Sequence, residues 1–303
     1  ARFPPPYRLP RILIFVRLFH RRPDWKPEIR IRIKIKTKYR ILLWFPSIAT
    51  MAAIVVRIFL ISILCLIGLA SAAQSVIRMP SDRTAGETDS FCNSWRLSVE
   101  TNNAGLWSTP EGCLGYRVDY FTGVQYASDL TVVASDSIAF ARSVTPAGDG
   151  KDGWVFDVDE TLLSNLPFYE KFGYSAESFN EELWNEWVNS TAAEALPESL
   201  GLYRELKELG FTVFILTGRD EFQRNATTAN LLAAGFRDWE KLILRGKSDR
   251  GKRAVVYKSE KRQELVDQGY RIHGNSGDQW SDLLGYAMAV RSFKYPNPLY
   301  YIA

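Results

Sequence analysis

Two carboxylates one residue apart, Asp157 and Asp159, close the apolar run Trp154-Val155-Phe156, with Thr161 two positions further on. In an extended chain successive side chains alternate, so the two acids point to one side while Phe156 and Val158 point to the other. Like charges held that close repel unless a cation neutralises them or one of them is protonated, which makes the pair a candidate site. A carboxylate is also a workable nucleophile toward phosphorus, because the acyl phosphate it forms can later be broken by water. Taken alone, the pattern is usually that of a turn or a helix cap.

Three later segments change that balance. Phe211-Thr212-Val213-Phe214-Ile215-Leu216 is the nearly continuous apolar run of a strand covered on both faces, and it ends in Thr217-Gly218-Arg219, which puts a hydroxyl at a strand's carboxyl end. Lys258 stands in a charged run, and Gly277-Asp278-Gln279-Trp280-Ser281-Asp282 supplies two more acids after a glycine. The order is acidic pair, Thr, Lys, acidic pair.

In that order the segments resemble the four motifs of the haloacid dehalogenase superfamily: Asp157, Asp159 and Thr161 as DxDxT, then Thr217, then Lys258, then Asp278 and Asp282 as GDxxxD. Within the superfamily the chain is similar to the plant acid phosphatase and vegetative storage protein family. The stretches Tyr257-Lys258-Ser259-Glu260-Lys261-Arg262, Gly274-Asn275-Ser276-Gly277-Asp278-Gln279-Trp280 and Phe293-Lys294-Tyr295-Pro296-Asn297-Pro298 carry this likeness, which runs from about Phe91 to the end. Four motifs in order are far more specific than any one of them.

Read as chemistry, Asp157 is the nucleophile, and Asp159 is the general acid that protonates the leaving alkoxide and then the base that takes a proton from water. Magnesium needs only one or two protein carboxylates beside phosphate oxygens and water. Asp157 and Asp278 are the carboxylates assigned to it, and the resemblance adds the main-chain carbonyl of Asp159. Thr217 and Lys258 suit the spreading charge of the phosphoryl group. Asp282 lies behind the metal ligands or hydrogen-bonds Lys258, although acids also favour the first turn of a helix. The two histidines of the chain, His20 and His273, are too few for imidazole-rich or histidine-nucleophile phosphatase chemistry. His273, just before an expected turn at Gly274, reads as a packed or partly exposed side chain.

The elements that would position these groups alternate. Strands are expected at 154–156, 211–216, 242–244 and 270–272, with helical patterns between them, which makes an α/β protein with a Rossmann-like, doubly wound parallel sheet. A helix opens at Pro197 with Leu200, Tyr203, Leu206 and Leu209 on one stripe and Gly210 as its cap, and the next ends at Gly235. A ligand in such a sheet binds beyond the carboxyl ends of the strands, where Asp157, Thr217 and Asp278 all fall. The interval between the first two motifs leaves room for a small helical cap at about 165–197. There Ser178 with Glu181 reads as a capping box, and Phe179, Leu183, Trp184, Trp187 and Val188 form a stripe expected to be packed. Any part of it facing the site could stack on an aryl or nucleoside leaving group. The domain is expected to carry an N-terminal helical extension, within which the stretch from Phe121 to Ala141 begins with an apolar helix.

Charge divides the chain. Residues 1–50 carry a net +11 and residues 74–303 a net −8, so the overall +4 misleads about partners. The alternating basic and isoleucine residues from Arg30 to Lys36 suit a nucleic-acid arm or a transit peptide, but residues 1–50, which open with Ala1, are read as an upstream segment outside the mature protein. Residues 51–73 have the three parts of a secretory signal peptide: Arg57, an apolar run from Ile58 to Leu69, and Ala70-Ser71-Ala72-Ala73, with cleavage after Ala72 or Ala73. The run is short for a membrane span, with an uncleaved anchor as the alternative. Residues 74–303 are then one acid phosphatase domain.

Removal of Cys65 with the signal leaves Cys92 and Cys113, which are expected to pair in an oxidising compartment. Asn189 and Asn225 head glycosylation sequons, plausible only after secretory entry. The expected protein is a secreted or vacuolar magnesium-dependent acid phosphatase acting on small phosphomonoesters through an aspartyl-phosphate. It has no nucleic-acid partner and no stable membrane association once the signal is cleaved. The resemblance implies an acidic pH optimum and allows a homodimer. The alternative is a storage glycoprotein with little or no activity. A pure reserve has no physical need for this set of residues, which favours the enzyme.

Overall fold

Trp154 and Phe156 face one side of strand β3 (Asp152–Phe156), Val155 faces the other, and all three are buried. A strand buried on both faces must be covered twice. The computed structural model describes residues 84–175 and 178–303, and the backbone of residues 14–15 and 32–33. In the latter, β1 (Ile14–Phe15) and β2 (Arg32–Ile33) pair antiparallel, which the sequence did not suggest. They belong to a unit, residues 1–73, separate from residues 74–303. The expected signal peptide lies outside the described residues. Among those described, no helix is long and apolar enough to cross a membrane.

Five parallel strands run in the order β7-β6-β3-β8-β9, with β6 Thr212–Asp220, β7 Lys241–Arg245, β8 Arg271–Gly277 and β9 Arg291–Lys294. The chain winds from β3 outward through β6 and β7, then returns to the other side of β3 for β8 and β9. That reversal opens a crevice at the carboxyl end of β3, the place where open α/β sheets bind ligands.

The two faces have separate cores. On one, Trp154, Phe156, Val213 and Ile215 pack against Ala141 of α3 (Val124–Ser143), Leu202 and Leu206 of α6 (Pro197–Glu208), and Leu231 of α7 (Arg224–Ala233). On the other, Val155, Phe214, Leu216 and Ile272 meet Tyr257 and Leu265 of α8 (Ala254–Asp267). The expected helix ends hold, with Gly210 and Gly235 both at positive φ just past α6 and α7.

The expected turn at Gly274 is not there: β8 runs on to Gly277. Gly274 is needed for space, because a Cβ there would lie 2.4 Å from the Trp154 indole of the neighbouring strand. His273, half-buried, contacts Asp152 Oδ1 through Nε2 at 2.7 Å. Strand β9 was not anticipated at all.

Before the sheet come α1 (Ala85–Glu100), a 3-10 turn at Glu111–Cys113, α2 (Leu114–Thr122) and α3, so among the described residues the extension holds three α-helices, with a break at Gly123. Cys92 of α1 and Cys113 are disulfide-bonded, as expected. After β3 a short antiparallel stem, β4 (Leu163–Ser164) with β5 (Glu194–Ala195), brackets an insertion holding α4 (Leu166–Lys171) and α5 (Glu181–Ser190). The α5 cap is Asn180, whose side chain accepts from Leu183 N at 3.1 Å, and not Ser178. Asn180 places its oxygen three residues ahead of that amide, which fixes the start two residues later than expected.

Candidate active site

Asp157 follows the last residue of β3, and its amide still donates to Ser276 O of β8 at 3.0 Å, so the sheet ladder sets its backbone. Asp278 stands just beyond β8 and Asp282 on α9 (Trp280–Leu283). Gly277 permits that closeness, since a Cβ would meet Asp282 Cβ at 2.5 Å. The three acids offer oxygens within 4.8 Å of one another, all buried. Lys258 of α8, also buried, reaches in: Nζ is 2.7 Å from Asp157 Oδ1 and 2.5 Å from Asp282 Oδ1. Asp157, Asp278, Asp282 and Lys258 are therefore brought together, with Asp282 bound to Lys258 as one of the two expectations had it.

Three carboxylates against one ammonium leave a formal excess of two negative charges in a dry place. The cost appears as shifted acidities. Burial first, then Asp282, Asp278 and Asp159, push Asp157 well above the usual carboxylate range against the pull of Lys258. Burial, with Asp282 and Glu160 next, raises Asp278 to about 7. Burial opposes the Lys258 charge, but Asp157 and Asp282 outweigh it and hold the ammonium ionised.

These residues fit a divalent cation. Asp157 Oδ1 is buried and in contact with the Lys258 ammonium at 2.7 Å, with no further donor among the described residues, and Asp278 Oδ1 has there only Thr161 Oγ1, 3.5 Å away. Asp278 Oδ2 is occupied, accepting from Asn297 Nδ2 at 2.6 Å and Gln279 Nε2 at 2.8 Å. Asp282 is occupied on both oxygens, by Lys258 and by Gln279 N at 2.9 Å. An all-oxygen, carboxylate-poor set of this kind suits a hard ion that keeps several waters.

Asp157, Asp159, Lys258, Asp278 and Asp282 line one cavity of about 850 Å³. Thr217 is not among the lining residues. It is fully buried next to them, its Oγ1 accepting from Arg219 N at 3.1 Å. Asn189 and Asn225 are exposed and do not line that cavity.

Residues 80–303 match the family described as HAD superfamily, subfamily IIIB (acid phosphatase). The chain belongs to that family. Acid phosphatase 1 of Solanum lycopersicum is 53% identical over 212 residues, covering 70% of this chain and 83% of its own. The stem 28 kDa glycoprotein of Glycine max is 45% identical, covering 75% and 89%. Vegetative storage protein 2 of Arabidopsis thaliana is 42% identical, covering 70% and 80%. The class C acid phosphatase of Bacillus anthracis superposes with a TM-score of 0.52 at 23% identity, over 71% of this chain and 86% of that one, a likeness of fold.

Several residues of this family member's site were not singled out from sequence. Arg219 pairs with Asp159, Nη2 to Oδ1 at 2.6 Å. Asn165 Nδ2 donates to the same oxygen at 2.9 Å. Glu160, in the left-handed region at φ 52°, is buried with its carboxylate accepting from Asn165 N at 2.8 Å and Tyr300 Oη at 2.5 Å, and burial followed by Asp159 raises it to about 8. Only Arg219 had a signal, its place beside Thr217 at a strand end.

The insertion stripe is also not simply packed. Phe179, Leu183 and Trp184 line the cavity, Phe179 64% exposed, while Val188 is buried. Trp184 faces Phe168 of α4 edge-on, and the extension contributes Trp107, Ser108 and Thr109 to the wall. Leu183 and Trp184 thus both pack against the cluster around Phe168 and line the cavity, near the start of α5.

Proposed function

We propose that the protein is a magnesium-dependent acid phosphatase that hydrolyses phosphomonoesters through a phosphorylated Asp157. The observation that carries this reading is the buried meeting of Asp157, Asp278 and Lys258 on the floor of a cavity at the carboxyl ends of the strands. Asp157 and Asp278 would hold magnesium, with the Asp159 main-chain carbonyl added by the family likeness. When bound, the ion would withdraw charge from the phosphoryl oxygens and remove the repulsion among the acids.

An Asp157 oxygen attacks phosphorus as the ester P–O bond breaks, and Asp159 gives its proton to the departing oxygen. Water then attacks the phosphorus of the acyl phosphate, Asp159 takes the proton back, and orthophosphate leaves with the Asp157 carboxylate restored. Lys258 stabilises charge on the transferring group, and the Thr217 hydroxyl, buried beside the lining residues Gly218 and Arg219, would have to turn its hydrogen toward the cavity to reach a phosphoryl oxygen. Asp282 keeps Lys258 charged and aimed. The aromatic wall suits a flat, apolar leaving group. The Cys92–Cys113 bond and two exposed sequons support passage through the secretory pathway to the cell wall, extracellular space or vacuole.

A storage role has its own support in the 42% identity to a vegetative storage protein. Purified residues 74–303, assayed on para-nitrophenyl phosphate with and without magnesium, separate the two. The expected result is hydrolysis that needs the metal and vanishes in Asp157→Asn. A folded protein inert toward several phosphomonoesters across pH and metals would leave the storage role standing.

A further inference from the structure

Asp159 lies past the end of β3, in an isolated bridge with Leu163, and its carboxylate is gripped from two directions. From one, Arg219 Nη2 donates to Oδ1 at 2.6 Å and Nε reaches both oxygens at 3.1 Å. From the other, Asn165 Nδ2 donates to Oδ1 at 2.9 Å. Both holders are themselves held. Arg219 Nη1 donates to Thr227 Oγ1 of α7 at 3.2 Å, and Arg219 Cζ lies 5.8 Å from the Trp184 ring centroid. Asn165 Oδ1 accepts from Trp187 Nε1 at 2.8 Å. Trp184 and Trp187 belong to one helix, α5. Asn165 is fully buried and the Arg219 side chain is 1% exposed, with Asp159 itself 16% exposed toward the cavity, so both pairs are only weakly diluted by solvent.

We propose that Arg219 and Asn165 are positioning residues for the Asp159 carboxyl, and that Trp187 ties that position to α5, so the inserted helices set how well a proton reaches the leaving group. The inference rests on Asp159 being the proton donor. Proton transfer demands hydrogen-bond contact with the departing oxygen, and a displacement of about 1 Å costs on the order of 100-fold. The guanidinium fork fixes the plane of the carboxylate in a way a lysine cannot. A carboxyl released from these partners would still be present in the cavity but would spend less time in line.

The test compares kcat/KM, which reports the steps through leaving-group departure, for para-nitrophenyl phosphate and ethyl phosphate. Nitrophenolate leaves with little help, whereas ethoxide needs its proton. Arg219→Lys keeps the charge and loses the fork, and Trp187→Phe keeps an aromatic ring but loses the N–H to Asn165 together with part of the indole's packing volume. Both are expected to lower kcat/KM for ethyl phosphate by about 10-fold more than for the nitrophenyl ester. Equal losses on the two esters, which damage to the fold or to phosphate binding would give, overturn the proposal. If Arg219→Lys fails to fold, Trp187→Phe decides alone. Asp159→Asn run beside them separates the two levels: a selective loss there with equal losses in the others removes the positioning role, and no selective loss there removes the reading of Asp159 beneath it.

Discussion

Asp278 is divided between its two oxygens. Oδ2 is committed to Asn297 and Gln279, which leaves Oδ1, with Thr161 Oγ1 3.5 Å away, as the oxygen open to a metal. Partners of this kind orient a metal ligand, and their loss costs about 10- to 100-fold in metal affinity. In Asn297→Ala the magnesium concentration for half-maximal hydrolysis is therefore expected to rise about 10-fold, with the rate at saturating magnesium little changed. A metal titration of activity reads this directly, and an unchanged midpoint would mean that Gln279 suffices. Asp157, Lys258 and Asp278 were legible because each is a charged residue at a strand end or in a motif of fixed spacing. Asn297 was not. It sits 19 residues from Asp278, and only the return of the chain through β9 brings the two together.

Elements buried on both faces announced themselves, and elements at the margin did not. The runs at β3 and β6 are continuously apolar because α3 and α6 cover one face and α8 the other. Strand β9 reads Arg291-Ser292-Phe293-Lys294, with only Phe293 buried, because it is the sheet edge. Its sequence therefore carries neither a run nor a clear alternation. The insertion and extension were visible as helices, but which face of each meets the cavity depends on packing partners far away in sequence. The Cys92–Cys113 bond closes a loop that contains Trp107, Ser108 and Thr109 of the cavity wall. Its loss in Cys92→Ser is expected to destabilise the fold by about 3 kcal/mol. It should also raise KM more than it lowers kcat, because a loosened wall weakens binding without touching Asp157. Thermal unfolding and steady-state kinetics of that variant test the two parts separately.

At the scale of the whole molecule, the amino-terminal end of the sheet carries an electrostatic clamp opposite the site. Arg271 donates to Asp152 through Nε at 2.8 Å and Nη2 at 3.0 Å, and Ala147 N and His273 add to it. Arg271, against the opposing effect of burial, holds the Asp152 carboxyl well below its ordinary 3.8. A group with a lowered folded value contributes stability above its unfolded value and loses it as the pH falls, so this contribution fades below about pH 4. Asp152→Asn is expected to lower the Tm at neutral pH, with the gap to wild type closing on acidification. Parallel Tm curves would show that the clamp contributes nothing. The function proposed for the other end of the sheet requires Asp157 to become covalently phosphorylated, and rapid acid quench of Asp159→Asn with a radiolabelled aryl phosphate tests that most directly. The expected result is a hydroxylamine-labile label on the protein, because a good leaving group still departs while hydrolysis of the acyl phosphate is slowed, and its absence when Asp157→Asn is added. Turnover of the ester by Asp159→Asn with no label, or turnover surviving Asp157→Asn, would contradict it.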